Sequence, residues 1–225
     1  MSLLCKIWDL LTLGLFHHSG YIGALIVFAG LIWFYQSVFK TLRFVYRLKL
    51  AQKIDILERY GKGSYVLITG STDGIGKKLM FKYAALGFNL VSISRNQLRL
   101  NKTAEEVKKE SPKCHIISIQ ADLAKTTPEF YKELDKKLEN IDISVLVNNV
   151  GLDSIELFHE QSFEFMHNLM AINMYTLTFM SKILFDRLKK RRHASIVNIA
   201  SVAADHDMAY FAVYNGTKAY VARYT

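Results

Sequence analysis

Tyr214 and Lys218 stand four residues apart, and Ser201 lies thirteen residues before the tyrosine. On a helix that spacing puts Tyr214 and Lys218 on one face, so an ammonium on Lys218 can stabilise a phenolate on Tyr214 and make the tyrosine a usable proton donor. Far upstream, Thr69 is followed by Gly70, Ser71, Thr72, Asp73, Gly74, Ile75 and Gly76. Glycines at G-x-x-x-G-x-G spacing, placed after an apolar run of strand length, let backbone amides close on a phosphate at the positive end of a helix. Each pattern alone also fits an ordinary turn or a surface helix pair. In this order, on one chain, they point to nucleotide-dependent redox chemistry.

Elements of alternating type must position these groups. Strand candidates are 65–69, 89–94, 115–119, 143–147 and 195–199, rich enough in Val, Ile and Leu to imply burial on both faces. Helix candidates lie between them at 75–86, closed by Gly87, at 97–110, stopped before Pro112, at 128–138, capped by Thr127, and at 162–190. The alternation predicts an α/β domain with a Rossmann-like, doubly wound parallel sheet in the order 3-2-1-4-5. After the second strand, where an NAD site would place Asp or Glu against the ribose hydroxyls, stand Ser94, Arg95 and Asn96. An arginine there favours a 2′-phosphate, hence NADP(H) over NAD(H).

The first forty residues read differently from the rest. No Asp, Glu, Lys or Arg occurs from Leu10 to Phe39, and residues 21–39 give nineteen consecutive uncharged positions. As a helix these span roughly 28 Å, close to the hydrocarbon thickness of a bilayer, so a transmembrane helix is expected at 21–39, crossing once or entering with 10–16 as a hairpin. Trp33, Phe34, Tyr35 and Phe39 suit an interface, and Lys40, Arg43, Arg47, Lys49 and Lys53 follow directly, which puts the remainder of the chain on the cytosolic side. Of the formal net charge of +9, about half falls in residues 1–64, with eight basic and three acidic side chains. That distribution fits orientation and attraction to anionic lipid rather than nucleic acid, for which no motif is present. Two cysteines, Cys5 and Cys114, exclude a disulfide framework, and no Cys/His spacing suits a metal. The expected organisation is an anchor at 1–40, a basic connector at 41–64 and the dinucleotide-binding domain from 65 onward.

The segments TGSTDGIG (69–76), NNVG (148–151), Asn173, Ser201 and YNGTK (214–218) occur in the order and spacing of the short-chain dehydrogenase/reductase family, which the chain resembles from about Tyr65 to its last residue. TGSTDGIGK, the SRN after strand two, LVNNVG and the hydrophobic N-terminus are similar to the membrane-bound 3-oxoacyl-CoA reductases and their 17β-hydroxysteroid dehydrogenase relatives. The resemblance implies that Tyr214 protonates a substrate carbonyl oxygen as hydride arrives from the nicotinamide, while Ser201 holds the same oxygen. Lys218 would also hold the nicotinamide ribose, and Asn173 would keep a water in a proton relay to Lys218. Asp122 would meet the adenine, and Asn148 and Gly151 would complete the turn after strand four. It further implies an endoplasmic reticulum membrane address, a lipid-like ketone substrate, foremost a 3-oxoacyl-CoA in fatty-acid elongation and alternatively a steroid, and a dimer face on the helix through 169–184 unless that stripe is core.

Against the family pattern, Asn215, Gly216 and Thr217 replace the usual small residues between Tyr and Lys, and the chain stops inside the helix that carries them. The sequence therefore reads as C-terminally truncated, with most of a cofactor site and little substrate pocket. A non-catalytic, membrane-attached nucleotide-binding protein is the rival expectation. Asp205, His206 and Asp207 either line a pocket mouth or form a solvated loop.

Overall fold

The computed structural model describes residues 3–49, 54–125, 127–206 and 208–224. Lys53 of the basic run and Asp207 of the acidic loop lie outside the described residues. The chain divides into two compact units, Met1–Ile54 and Asp55–Thr225.

The first unit is one uninterrupted helix, α1 (Leu3–Lys49). At about 1.5 Å per residue it is roughly 70 Å long, more than twice a bilayer's hydrocarbon core. Its backbone has no break where a hairpin would have to turn. Among the described residues it is the one helix long and apolar enough to cross a membrane, with its apolar window at Leu25–Leu48. Leu42, Phe44, Val45 and Leu48 interleave with Lys40, Arg43 and Arg47 in the later part of this window. Trp33, Phe34 and Tyr35 are all exposed.

The second unit opens with a short helix, α2 (Ile56–Tyr60), where the sequence predicts only a connector. Asp55 caps it by accepting a hydrogen bond from the Glu58 amide at 3.0 Å, and Leu57 and Tyr60 pack onto the core. Then follow β1 (Tyr65–Thr69), α3 (Gly74–Ala85), β2 (Asn89–Ser94), α4 (Gln97–Glu110), β3 (Ile116–Gln120), α5 (Pro128–Leu138) and β4 (Ile143–Asn148). After β4 come α6 (Phe163–Met170), a π turn (Ala171–Tyr175), α7 (Thr176–Lys190), β5 (Ser195–Asn198) and α8 (Ala212–Arg223). The five strands pair in parallel in the order β3-β2-β1-β4-β5. β3 begins one residue later than the apolar run because the His115 amide donates to the Asn89 side chain at 3.0 Å instead of joining the ladder.

Burial on both faces follows from the two-residue period of a strand. Leu67, Val91, Ile93 and Leu146 face one way and pack with Leu134 and Leu138 of α5 and Met180 and Leu184 of α7. Val66, Ile68, Val145 and Val147 face the other way, against Met80 and Ala84 of α3 and Val107 of α4. The apolar stripe of α6–α7 thus goes into the core through Leu169, Leu177, Met180 and Leu184. Leu184 is 0% exposed and Leu98 is 80% exposed. Leu184→Ala is therefore expected to lower unfolding free energy by about 2–5 kcal/mol through cavity formation, and Leu98→Ala by less than about 0.5 kcal/mol, read as urea midpoints by far-ultraviolet circular dichroism.

Candidate active site

All five strands point their C-terminal ends at one cleft of about 1140 Å³. One side is the turn between β1 and α3. Gly70 and Gly74 hold φ of +65° and +51°, a region that suits glycine. A Cβ on Gly76 would lie 2.3 Å from the Gly70 carbonyl oxygen and 2.4 Å from Asn149 Nδ2, so the first turn of α3 sits directly under the loop. Space above Gly74 is open, with nothing within 4 Å of a built Cβ. Gly70, Thr72, Asp73, Gly74 and Ile75 line the cleft. Ser71 does not: it is buried, bonded through Oγ to Ser92 Oγ at 2.6 Å, and it anchors the loop to β2. Asp73 caps α3, accepting from the Gly74 amide at 2.8 Å, and its other oxygen lies 3.5 Å from Arg99.

Ser94, Arg95 and Asp122 stand after β2 and β3 on the same cleft. Ser94 Oγ meets Thr72 Oγ1 at 3.0 Å, joining the ends of β1 and β2. Arg95 and Asp122 also border a shallower hollow of about 580 Å³ with Gln97 and Gln120. Open space here adjoins both a cation and a carboxylate.

A dense set of bonds in the site joins Thr69 and Asn149, two residues inside the motifs TGSTDGIG and NNVG to which the sequence alone assigns no individual role. Thr69 Oγ1 accepts from the Asn149 amide at 3.0 Å and the Val150 amide at 3.1 Å, and donates to the Val147 carbonyl at 3.3 Å. Asn149 Nδ2 donates back to the carbonyls of Thr69 at 2.9 Å and Gly70 at 3.1 Å. Asn149 lines the cleft, whereas Asn148 does not. Asn148 donates from Nδ2 to Asn198 Oδ1 at 2.9 Å and Ser181 Oγ at 3.3 Å, which places it in the sheet beside α7. Neighbouring residues at a strand end face opposite ways, so only one Asn of the pair can reach the cleft.

At the far end, α8 carries Tyr214 and Lys218, and the Lys218 Nζ stands 5.8 Å from the centroid of the tyrosine ring. Lys218 is 6% exposed and donates to the Ile199 carbonyl at 3.0 Å. Burial pulls its pKa below the ordinary lysine value of 10.5. Ser201 follows β5, lines the cleft with both, and accepts from the Ala203 amide at 3.2 Å. Asn173 sits in the π turn, a helix irregularity common at functional sites. Its Oδ1 accepts from the Leu152 amide at 2.8 Å, and its Nδ2 donates to the Leu152 carbonyl and to Thr217 Oγ1, each at 2.9 Å. Thr217 passes the link on by donating to the Tyr214 carbonyl at 2.8 Å. A Cβ on Gly151 would lie 3.4 Å from both Asn173 Oδ1 and Lys218 Nζ, so the turn after β4 packs close to both groups. Asp205 and His206 are exposed and do not line the cleft.

The arrangement offers a phenol, a hydroxyl and a buried cation at one end of a cleft, and a backbone-amide cradle with an arginine at the other. A family model described as short chain dehydrogenase matches residues 64–225. The chain is 36% identical over 177 residues to a very-long-chain 3-oxoacyl-CoA reductase from Caenorhabditis briggsae, covering 77% of this chain and 56% of the relative. To "Putative steroid dehydrogenase 1" from Caenorhabditis elegans it is 33% identical over 204 residues, covering 89% and 64%. The chain therefore spans little more than half the length of the first of these relatives. Among solved structures, a short-chain dehydrogenase from Sphingobium yanoikuyae in complex with NADPH is similar at TM-score 0.65 and 31% identity, over 70% of this chain and 61% of that one. A bulky-bulky ketone specific alcohol dehydrogenase from Comamonas testosteroni is similar at TM-score 0.66 and 30% identity, over 72% and 64%.

Two outcomes follow from this geometry. Thr69→Val keeps shape but leaves two amides without their acceptor, and is expected to cost about 1–3 kcal/mol of stability, seen as a lowered urea midpoint. Lys218 binds its proton less tightly folded than unfolded, so the penalty for its buried charge is fully present below the folded pKa and relieved as pH rises toward 10.5. Stability should climb with pH through that window, and Lys218→Met should flatten the climb in pH-dependent denaturation.

Proposed function

The chain belongs to the short chain dehydrogenase family, and on that premise we propose that it is an NADP(H)-dependent carbonyl reductase of lipid metabolism. The observation that carries the reading is that Ser201, Tyr214 and Lys218 share a single cleft with the glycine turn and Arg95. The cleft fits the cofactor on its own evidence: open space over Gly74, positive φ at Gly70 and Gly74, and the start of α3 beneath them. Gly70, Thr72, Gly74, Ile75 and the α3 amides would hold the pyrophosphate. Ser71 and Gly76 keep that turn in shape, and Asp73 caps it. Ser94 and Arg95 would take the ribose phosphate, Asp122 the adenine, and Asn149 and Gly151 the middle of the molecule. When bound, the cofactor supplies hydride.

The chain's own residues handle the proton. Tyr214 donates its phenolic proton to the substrate carbonyl oxygen, and Ser201 donates a hydrogen bond to the same atom. The phenolate left on Tyr214 is stabilised by the ammonium of Lys218, one helical turn away, and Lys218 would also hold the nicotinamide ribose. Asn173 acts as a positioning residue, holding Leu152 and, through Thr217, the backbone of Tyr214.

The substrate reading rests on the relatives and on the loops beside the cleft. Ile155, Leu157 and Phe158 before α6, Phe163 at its first position, and Val202, Met208 and Tyr210 before α8, are all exposed. The Glu156 amide bonds the Tyr210 carbonyl at 3.3 Å and joins the two loops. Such a rim suits a lipid-like ketone, foremost a 3-oxoacyl-CoA, with a steroid ketone as the second reading. The helix α1, with its apolar window and the cations gathered toward the end of it, supports anchoring in the endoplasmic reticulum membrane with the reductase unit in the cytosol.

NADPH consumption by the full-length protein with 3-oxoacyl-CoA and steroid ketones tests the assignment. Tyr214→Phe is expected to lose roughly 10²–10⁴-fold in kcat with NADPH binding retained, and Arg95→Asp to erode the preference for NADPH over NADH. Unchanged turnover in the first variant, or an unchanged preference in the second, would contradict the proposal.

A further inference from the structure

The end of the sheet opposite the cleft carries a second organised feature. A hollow of about 510 Å³ lies there, lined by Glu58, Arg59 and Tyr60 of α2 and by Arg191, Arg192 and His193 after α7. Arg191 staples these elements: it pairs with Asp142 through Nη1 and donates from Nη2 to the Tyr60 carbonyl at 2.5 Å. Gly61 holds φ of +104°, and a Cβ there would lie 2.9 Å from Arg191 Nη2. Glycine is thus what lets the guanidinium seat on the carbonyl. Asp142 and Arg191 answer each other, and Asp55 is engaged as the cap of α2.

Other cations on this end have no such partner. Arg59, Lys62, Lys189, Lys190 and Arg192 are exposed, and none forms an ion pair among the described residues. Lys189 and Lys190 also complement the C-terminus of α7. That role does not account for Lys62 or Arg192, which lie past the ends of α2 and α7, and Arg59 comes from the last turn of a different helix, α2. Only Glu58 opposes them in the hollow. The fold has gathered cations from two distant stretches of sequence and fixed them with a dedicated arginine.

We propose that this basic face is a docking surface for anionic phospholipid headgroups. The inference rests on the reading of α1 as a membrane anchor. α1 ends at Lys49 and α2 begins at Ile56, so the face is joined by a short stretch of chain to the helix with the apolar window. A bilayer leaflet rich in anionic lipid attracts polybasic segments held within a Debye length of it. With these cations on the headgroups, the cleft at the other end of the strands opens away from them, toward a water-borne cofactor.

The test uses the full chain reconstituted in phosphatidylcholine vesicles, with or without about 30 mol% phosphatidylserine, and follows amide hydrogen exchange by mass spectrometry. Phosphatidylserine is expected to slow exchange in 58–63 and 189–194 roughly three- to tenfold, and about 0.5 M salt to abolish the slowing. The variant Lys62→Gln/Lys189→Gln/Lys190→Gln/Arg192→Gln should lose the effect while keeping its exchange in phosphatidylcholine and its circular dichroism. Equal exchange in the two vesicles overturns the inference. So does equal slowing by inorganic phosphate with phosphatidylcholine alone, or slowing confined to 155–163 and 202–211. Resistance to alkaline carbonate extraction reports the anchor independently: a chain that is retained without the lipid-charge effect refutes only the docking surface, whereas a chain that is extracted refutes the anchor.

Discussion

The constraint on which the rest of the structure depends is the crossing of two strand ends beside the cleft. β1 and β4 are neighbours in the sheet, and each must release its chain in a turn at the same place. Backbone polar groups in such turns have lost their ladder partners and, away from water, must find others. Thr69 Oγ1 takes two of the amides, and Asn149 Nδ2 takes two of the carbonyls. That mutual satisfaction fixes the glycine turn over α3 and sets the floor of the cleft. It also explains why Gly76 has no room for a side chain: the clasp draws the Gly70 carbonyl and the Asn149 amide down onto the helix.

A second, smaller constraint sets the other wall. A helix carrying Asn173 must bring that residue to the turn after β4 while still packing Leu169, Leu177, Met180 and Leu184 into the core. A regular helix has one angular phase, and the π turn changes it by inserting a residue. The shift allows Asn173 to hold both polar backbone groups of Leu152 and to reach Thr217, which ties α8 to the same frame. The two walls are independent in sequence and meet at Gly151, which lies close to both Asn173 and Lys218.

Much of this was legible in the sequence, for specific reasons. β1, β2 and α4 start and end where the apolar runs and punctuation place them, because strands buried on both faces are written as unbroken Val, Ile and Leu and because Asn96 and Pro112 bracket the helix. The sheet order followed from alternation and the position of the glycine turn. What stayed hidden were bonds between distant residues of unremarkable type. Thr69 and Thr217 look like any threonine until their partners are known, and the doublet Asn148–Asn149 gives no sign of which member faces the cleft until strand phase is fixed. The short helix α2 was hidden because Asp55 and Leu57 act through a cap and a contact across the fold rather than through local periodicity.

Lys218 shows how the fold's demands and the site's demands differ. A lysine this enclosed, with the Ile199 carbonyl as its hydrogen-bond partner and, among the described residues, no carboxylate in an ion pair with it, is held in a place that favours the uncharged amine. Packing alone would prefer an apolar side chain there. The position makes sense once a negative charge is required to appear nearby: a cation stripped of water and held by Ile199, one turn from a phenol, interacts with a nascent phenolate more strongly than a solvated one could. Under the proposed function, the same enclosure that weakens the resting protein would strengthen the interaction that proton donation by Tyr214 would call for, and the lysine would be a group stabilised by the chemistry rather than by the fold.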